Sequence, residues 1–63
     1  MKRVDLLRRL REEGCVLVRT VGRHDFYRNV ITGESRPVPR HREIKETTAR
    51  SILRALSAPP PES

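Results

Sequence analysis

The stretch "CVLVRTVGRHDFYRNV", residues 15–30, decides how this chain of 63 residues folds. Its first half, Cys15–Val21, is apolar and rich in β-branched residues, a composition that favours a β-strand. Gly22 and Arg23 interrupt this pattern, and residues 24–30 resume it with two aromatic side chains and a valine. Two strand-like runs around a short glycine-containing break predict an antiparallel β-hairpin.

A third strand is predicted directly after the hairpin. Residues 31–34, "ITGE", form the connecting turn, in which Gly33 can adopt a positive φ. Residues 35–40, "SRPVPR", then form a short strand. Pro37 and Pro39 each lack an N–H group, so this strand either belongs at an edge of the sheet or pairs only through alternate groups.

Amphipathic helices are predicted on both sides of the three strands. Residues 3–14, "RVDLLRRLREEG", carry one apolar stripe opposite a charged side, and Gly14 is a natural C-terminal stop. Thr47 is predicted to cap a second helix, whose apolar residues follow the i, i+3, i+4, i+7 spacing. The stripes consist of Val4, Leu6, Leu7 and Leu10 in the first helix and Ala49, Ile52, Leu53 and Leu56 in the second.

The order α-β-β-β-α predicts an α+β fold, with a three-stranded antiparallel sheet and both helices on one face. Double-stranded-RNA-binding domains share this arrangement. One domain is expected over residues 1–57, and the proline-rich residues 58–63 are expected to form a disordered tail. The residues predicted to be largely buried are Leu7, Leu10, Leu17, Ile52, Leu53 and Leu56.

Composition indicates the class of binding partner and the cellular location of this protein. The net charge is +6, and Lys2 and Lys45 are the only lysines among the 14 Lys and Arg residues. The planar guanidinium of the arginines suits phosphate. This balance favours a polyanionic partner, with nucleic acid first. No apolar run approaches a membrane span and the start does not resemble a signal peptide, so a cytoplasmic location without membrane contact is expected.

Cys15 is the only cysteine, which excludes an internal disulfide and a paired-cysteine zinc site. Its place at the start of an apolar run predicts a small buried side chain. The sequence offers no carboxylate cluster suited to magnesium, and we expect neither a metal nor a cofactor.

Several short motifs occur in a fixed order along the chain. They are the opening helix, the strand start "GCVL", the triplet "GRH" at residues 22–24, and "VPRHREI" at residues 38–44 before a "TARSIL" helix. Together these motifs resemble the HicA (YcfA-like) family of toxins, small ribonucleases of bacterial toxin–antitoxin pairs. The resemblance extends over roughly residues 2–57.

The resemblance implies an endoribonuclease that cleaves mRNA and is neutralised by a HicB-type antitoxin. The family pattern of a glycine, a small or basic residue and the catalytic histidine maps onto Gly22, Arg23 and His24. Many relatives carry a serine in the middle position and a second histidine after the first. Here those positions hold Arg23 and Asp25.

The chemistry of His24 agrees with this implication. RNA is cleaved when a 2′-hydroxyl loses its proton and attacks the adjacent phosphorus, and an imidazole with an ordinary pKa of about 6.5 can take that proton. Arginines can stabilise the extra negative charge of the transition state. On charge and position alone, the sequence favours a solvated residue at the end of a strand over a catalytic one.

A basic run before the second helix is the candidate phosphate-binding segment. It contains Arg36, Arg40, His41, Arg42 and Lys45, and we expect these residues to bind RNA together with Gly22 and Arg23. His41 is also a candidate second proton carrier. A charge run of this kind is otherwise an ordinary solvated face.

Three neighbours of His24 carry separate expectations. Asp25 should leave the opposite face of the strand from His24, so we expect it to be mainly structural or solvated. Phe26 is predicted to lie in the core, while Tyr27 could pack there or stack on a base. Two other functions remain open: a small RNA-binding module without chemistry, and a ribosome-associated protein for which His24 has no role.

Overall fold

The computed structural model describes residues 1–57 and confirms the predicted α+β fold and the α-β-β-β-α order. The tail predicted over residues 58–63 lies outside the described residues. No helix in residues 1–57 is long and apolar enough to cross a membrane. The elements are α1 (Arg3–Glu12), β1 (Cys15–Val21), β2 (His24–Asn29), β3 (Ser35–Pro39) and α2 (Glu46–Leu56).

The three strands form one antiparallel sheet in the order β1-β2-β3, so β2 is the central strand. The hairpin turn between β1 and β2 places Val21 opposite His24, and Gly22 in the turn has a φ of 59°. β3 is an edge strand, as its two prolines predict, and its last residue, Pro39, pairs with His24. His24 therefore lies at the end of the sheet where β2 begins and β3 ends.

A β-bulge interrupts the pairing of β1 with β2. Leu17 pairs with Tyr27, but Arg19 pairs with Phe26, so Val18 is an extra residue without a partner. The prediction that Leu17 is buried is wrong, since 52% of its surface is exposed. The reason is that β1 is an edge strand, and only its first residue is buried.

The core lies between the sheet and the two helices. The sheet contributes alternate residues of β2 and one residue from each edge strand, and α1 and α2 lay their apolar stripes on that face. Burial of Leu10, Ile52 and Leu56 is confirmed, whereas Leu7 and Leu53 are half-buried at the margin. The buried apolar cluster consists of Leu6, Leu10, Cys15, Tyr27, Val38, Ile44, Ala49, Ile52 and Leu56.

The two aromatic residues take opposite sides of β2. Tyr27 is 8% exposed and belongs to the core. Phe26 lies on the other face of the strand, so the prediction that it lies in the core is wrong. Phe26 is only half-buried, and the guanidinium of Arg19 lies 4.7 Å from the centre of its ring. Because successive side chains of a strand point to opposite faces, the two rings must lie on opposite sides of the sheet. Which of them is buried depends on the face on which the helices pack.

Asn29 ties the helix ends to the sheet from a fully buried position. Its Nδ2 donates to the carbonyl oxygens of Leu56, at 2.7 Å, and Glu13, at 3.0 Å. Its Oδ1 accepts from the backbone N–H groups of Ile31 and Thr32. One amide side chain thus donates to carbonyl groups at the C-terminal ends of both helices, where a helix backbone leaves carbonyls to be paired by other groups.

The segment before α2 is held by the beginning of the chain. Lys2 forms an isolated bridge with Glu43, and backbone N–H groups join the two segments in both directions, from Arg3 to Arg42 at 2.9 Å and from Ile44 to Met1 at 2.8 Å. The prediction of Thr47 as the helix cap is wrong, because α2 already begins at Glu46 and Lys45 occupies the cap position without a side-chain hydrogen bond.

Candidate functional site

His24 is exposed at the end of the sheet and makes no side-chain contact of a polar kind within residues 1–57. It is the first residue of β2, and its backbone lies between Val21 of β1 and Pro39 of β3. Its ring forms no hydrogen bond or ion pair with any other residue that the structure describes. The imidazole can therefore exchange a proton with a bound molecule without first breaking an internal contact.

A cavity of about 330 Å³ opens beside His24. One side is formed by Pro37 and Pro39 of β3, and the other by the N-terminal half of α2. The α2 residues in its lining are Thr47, Thr48, Ser51 and Ile52. Among the described residues of this lining, His24 is the only ionisable one.

A second cavity of about 400 Å³ adjoins the hairpin turn and is strongly basic. The structure brings together four of the predicted RNA-binding residues here, Gly22, Arg23, Arg40 and His41. A backbone hydrogen bond of 3.3 Å from the Arg40 N–H to the Arg23 carbonyl joins the turn to the loop after β3. Since His24 and Pro39 flank these residues in the chain, the two cavities are neighbours.

Gly22 keeps this turn tight. Its φ of 59° lies in the left-handed region that most side chains avoid. A Cβ atom added at Gly22 would meet no other atom within 4 Å, so the requirement comes from the backbone and not from crowding. The open space above it leaves room for a ligand group to approach the backbone.

The other three predicted RNA-binding residues are not in the lining of the basic cavity. Arg36 pairs with Tyr27 in the middle of β3 and forms an ion pair with Glu34. Arg42 lines a third cavity, of about 720 Å³, on the side of α1. Lys45 is the residue directly before α2 and is exposed. The basic run is thus spread over three parts of the surface, and only Arg40 and His41 face the hairpin turn.

Asp25 supports the site from within the protein. It is 7% exposed, and its carboxylate accepts hydrogen bonds from Arg3 Nη2 at 2.6 Å and from Thr20 Oγ1 at 2.7 Å. Arg40 Nε lies 3.7 Å from Asp25 Oδ2. The Thr20 hydrogen bond and the charges of Arg40 and Arg3 hold the pKa of Asp25 below its ordinary value, although burial opposes this shift.

The role of Asp25 is therefore structural, as expected from strand alternation, but the side chain is buried and not solvated. Its hydrogen bonds go to α1 and β1, and none of them reaches His24. Arg3 also donates from Nε to the carbonyl oxygen of Pro39 at 2.9 Å. Sequence reasoning missed this role of Arg3, because its position in α1 gives no signal of a contact with strands 22 and 36 residues away.

Cys15 lies at the other end of the sheet, where it pairs with Asn29. It is buried as predicted, its thiol donates to the Leu56 carbonyl at 3.4 Å, and burial raises its pKa. A raised pKa keeps the thiol protonated and unreactive. Within residues 1–57, no three His, Cys, Asp or Glu side chains converge on one point.

The comparison with protein families agrees with the motifs at this site. Residues 4–57 match the family model described as HicA toxin of bacterial toxin–antitoxin. Neither a curated protein nor a solved structure matched the chain. The matched segment includes His24, the basic cavity and both helices. The chain therefore belongs to the HicA family of toxins from bacterial toxin–antitoxin systems.

Proposed function

We propose that this chain is an endoribonuclease toxin that cleaves mRNA in the cytoplasm with His24 as its general base. The observation that carries the proposal is the setting of His24 in a HicA chain. Its imidazole is exposed, has no partner among residues 1–57, and lies between a basic cavity and an uncharged one. This setting suits a group that must meet both the phosphate and the ribose of an RNA strand.

In the proposed reaction, His24 takes the proton of a ribose 2′-hydroxyl while the 2′-oxygen attacks the adjacent phosphorus. The bond from phosphorus to the 5′-oxygen breaks, which leaves a 2′,3′-cyclic phosphate on one product and a 5′-hydroxyl on the other. Arg23 and Arg40 are close enough to each other to stabilise the additional negative charge that develops on the phosphate oxygens. The step needs no metal ion.

The leaving 5′-oxygen must gain a proton in the same reaction. His41 lines the basic cavity beside His24 and is the candidate protein donor there. A large loss of rate in His41→Gln that is specific to the chemical step would assign it this role. A loss confined to RNA affinity would make His41 a phosphate contact, with water as the proton donor.

RNA binding in this proposal begins at the basic cavity. Gly22, Arg23, Arg40 and His41 hold the scissile phosphate, while Arg36, Arg42 and Lys45 contact phosphates farther along the strand. Such contacts are independent of sequence and weaken with salt, because each neutralised phosphate releases counterions.

A HicB-type antitoxin is the proposed regulator. The net charge of +6 and the basic cavity favour an acidic surface on that partner, and occlusion of His24 is the simplest way to block RNA. A complex that leaves both cavities beside His24 open would contradict this part of the proposal.

The test is cleavage of a labelled single-stranded RNA by the purified chain in the presence of EDTA. We expect fragments that end in a 2′,3′-cyclic phosphate or, after its hydrolysis, a 3′-phosphate, and that begin with a 5′-hydroxyl. An otherwise identical strand with a 2′-deoxyribose at the cleavage site must remain intact. Binding of RNA without any cleavage would overturn the enzymatic proposal and favour a non-catalytic RNA-binding module.

A further inference from the structure

The two cavities beside His24 differ in chemistry. Arginine and histidine side chains line the basic cavity, whereas prolines, an isoleucine and three hydroxyl-bearing residues form the rest of the cavity around His24. Phosphate sites depend on cations and charge-assisted hydrogen bonds. The cavity between β3 and α2 is therefore poorly suited to a phosphate and suits an uncharged part of a ligand.

The hydroxyl groups on α2 are arranged along one side of the helix. Thr47 and Ser51 are four residues apart and Thr48 and Ser51 three, so all three side chains lie on neighbouring positions of one helix face. None of these hydroxyls makes a hydrogen bond with another residue in the described part of the chain. Each can therefore donate one hydrogen bond to a ligand and accept others.

The apolar part of the cavity complements these hydroxyls. Pro37, Pro39 and Ile52 provide the apolar surface of its lining. A volume of about 330 Å³ is at the lower end of ordinary small-molecule sites, which hold about 300–1,000 Å³. Aromatic or apolar side chains together with a few polar groups suit one unstacked base, which is recognised by stacking and by hydrogen bonds to its edge.

We propose that the cavity between β3 and α2 is a base-recognition pocket that sets the cleavage specificity of this toxin. It binds one nucleoside of single-stranded RNA next to the scissile phosphate, with Thr47 and Ser51 as the specificity-determining residues. The inference rests on the proposed function and assigns sequence discrimination to a different part of the surface from phosphate binding. Duplex RNA is a poor substrate in this scheme, because its stacked bases cannot enter a pocket between a strand and a helix.

The experiment compares cleavage of a single-stranded RNA library of random sequence by the wild-type chain and by variants, with sequencing of the cleavage ends. The variants are Thr47→Val and Ser51→Ala, alone and combined, since both changes remove a hydroxyl and little volume. Ser35→Ala is the matched control, because Ser35 is an exposed β3 residue outside the pocket.

We expect the wild-type chain to prefer particular bases at one position beside the cut. Each hydroxyl removed should reduce this preference by roughly 2- to 10-fold, the range expected for one hydrogen bond. The Ser35→Ala control should keep the wild-type preference. A circular dichroism spectrum and melting temperature equal to those of the wild type would show that the variants are folded.

Two results would overturn the inference. One is an unchanged base preference in the Thr47→Val, Ser51→Ala double variant, and the other is an equal loss of cleavage at all sequences. If the wild-type chain binds the library without cleaving it, the proposed function fails separately. The RNA that it retains is then sequenced, and a base preference equal in the wild-type and double-variant chains would overturn the pocket assignment independently.

Discussion

The two ends of the six-residue strand β2 contrast sharply. At one end, His24 is exposed and has no partner among the described residues, and the arginines around it face open cavities. At the other end, Asn29 is fully buried and all its amide groups are paired with backbone atoms. The terminal side chain of β2 that is buried serves the fold, whereas the terminal side chain that is exposed is open to a ligand.

Asp25 combines the burial seen at the Asn29 end of β2 with a position beside His24. It is buried like Asn29, yet it lies directly beside His24 in the chain and contacts Arg40 of the basic cavity. The His24 end of the sheet is therefore held by hydrogen bonds from α1 and β1 to the Asp25 carboxylate. An ion pair between Asp25 and Arg3 lies beneath the exposed side chains at this end.

The largest expected effect concerns the structural end of the strand. Asn29→Ala should lower the free energy of unfolding by about 2–4 kcal/mol, because buried carbonyl and N–H groups lose their partners. For a domain of this size, that corresponds to a fall in Tm of roughly 10–30 °C. Thermal unfolding followed by circular dichroism measures it, with exposed Arg28→Gln of the same strand as the control. Equal melting temperatures for Asn29→Ala and Arg28→Gln would break the contrast between the two ends.

A smaller effect is expected from Asp25, and its signature is pH dependence. The pKa of Asp25 is lowered in the folded state from its ordinary 3.8, so its stabilising contribution is complete above that pH and is lost as pH falls through the folded pKa. The wild-type chain should therefore melt above Asp25→Asn at neutral pH, and this gap should narrow below about pH 4. A gap that is constant from pH 7 to pH 2.5, or that widens in acid, would show that the ionised carboxylate does not stabilise the fold.

The smallest expected effect is on RNA affinity. Arg40→Gln should weaken binding to all sequences alike and make the dependence of log affinity on log salt concentration shallower by about 0.7, the value for one phosphate of a single strand. Arg54→Gln is the matched control, because Arg54 is an exposed arginine in the last turn of α2, outside the three cavities beside α1, the hairpin turn and β3. Fluorescence anisotropy over a series of salt concentrations gives both slopes. Identical slopes for the wild type and both variants would show that Arg40 does not contact an RNA phosphate.

The local parts of this architecture were predictable from the sequence. Apolar periodicity located both helices, the glycine-containing break located the hairpin turn, and Pro37 and Pro39 placed β3 at an edge. His24 could be singled out because the triplet at residues 22–24 and the basic segment after β3 together resemble one family. Antiparallel pairing of β2 with β3 brings the end of β3, and with it Arg40 and His41, close to the turn at Gly22 and Arg23.

The remaining features depend on contacts between residues distant in the chain. The bulge that precedes Arg19 and the exposure of Leu17 result from strand pairing, which composition does not reveal. The local sequence does not mark Asn29 as buried, because its burial depends on where the ends of both helices meet the sheet. The pocket between β3 and α2 was not predictable, because spacing along α2 does not show which strand Thr47 and Ser51 lie beside.

The most direct test of the account measures the cleavage rate and the melting temperature of His24→Gln on the same preparation, with His41→Gln as the companion variant. We predict that His24→Gln lowers the rate of RNA cleavage by about 10²–10⁴-fold, the usual loss when a general base is removed. Its Tm should stay close to that of the wild type, because the exposed ring supports little packing. Wild-type cleavage by His24→Gln in EDTA, or a loss of rate matched by a comparable loss of stability, would contradict the claim that His24 serves chemistry and not structure.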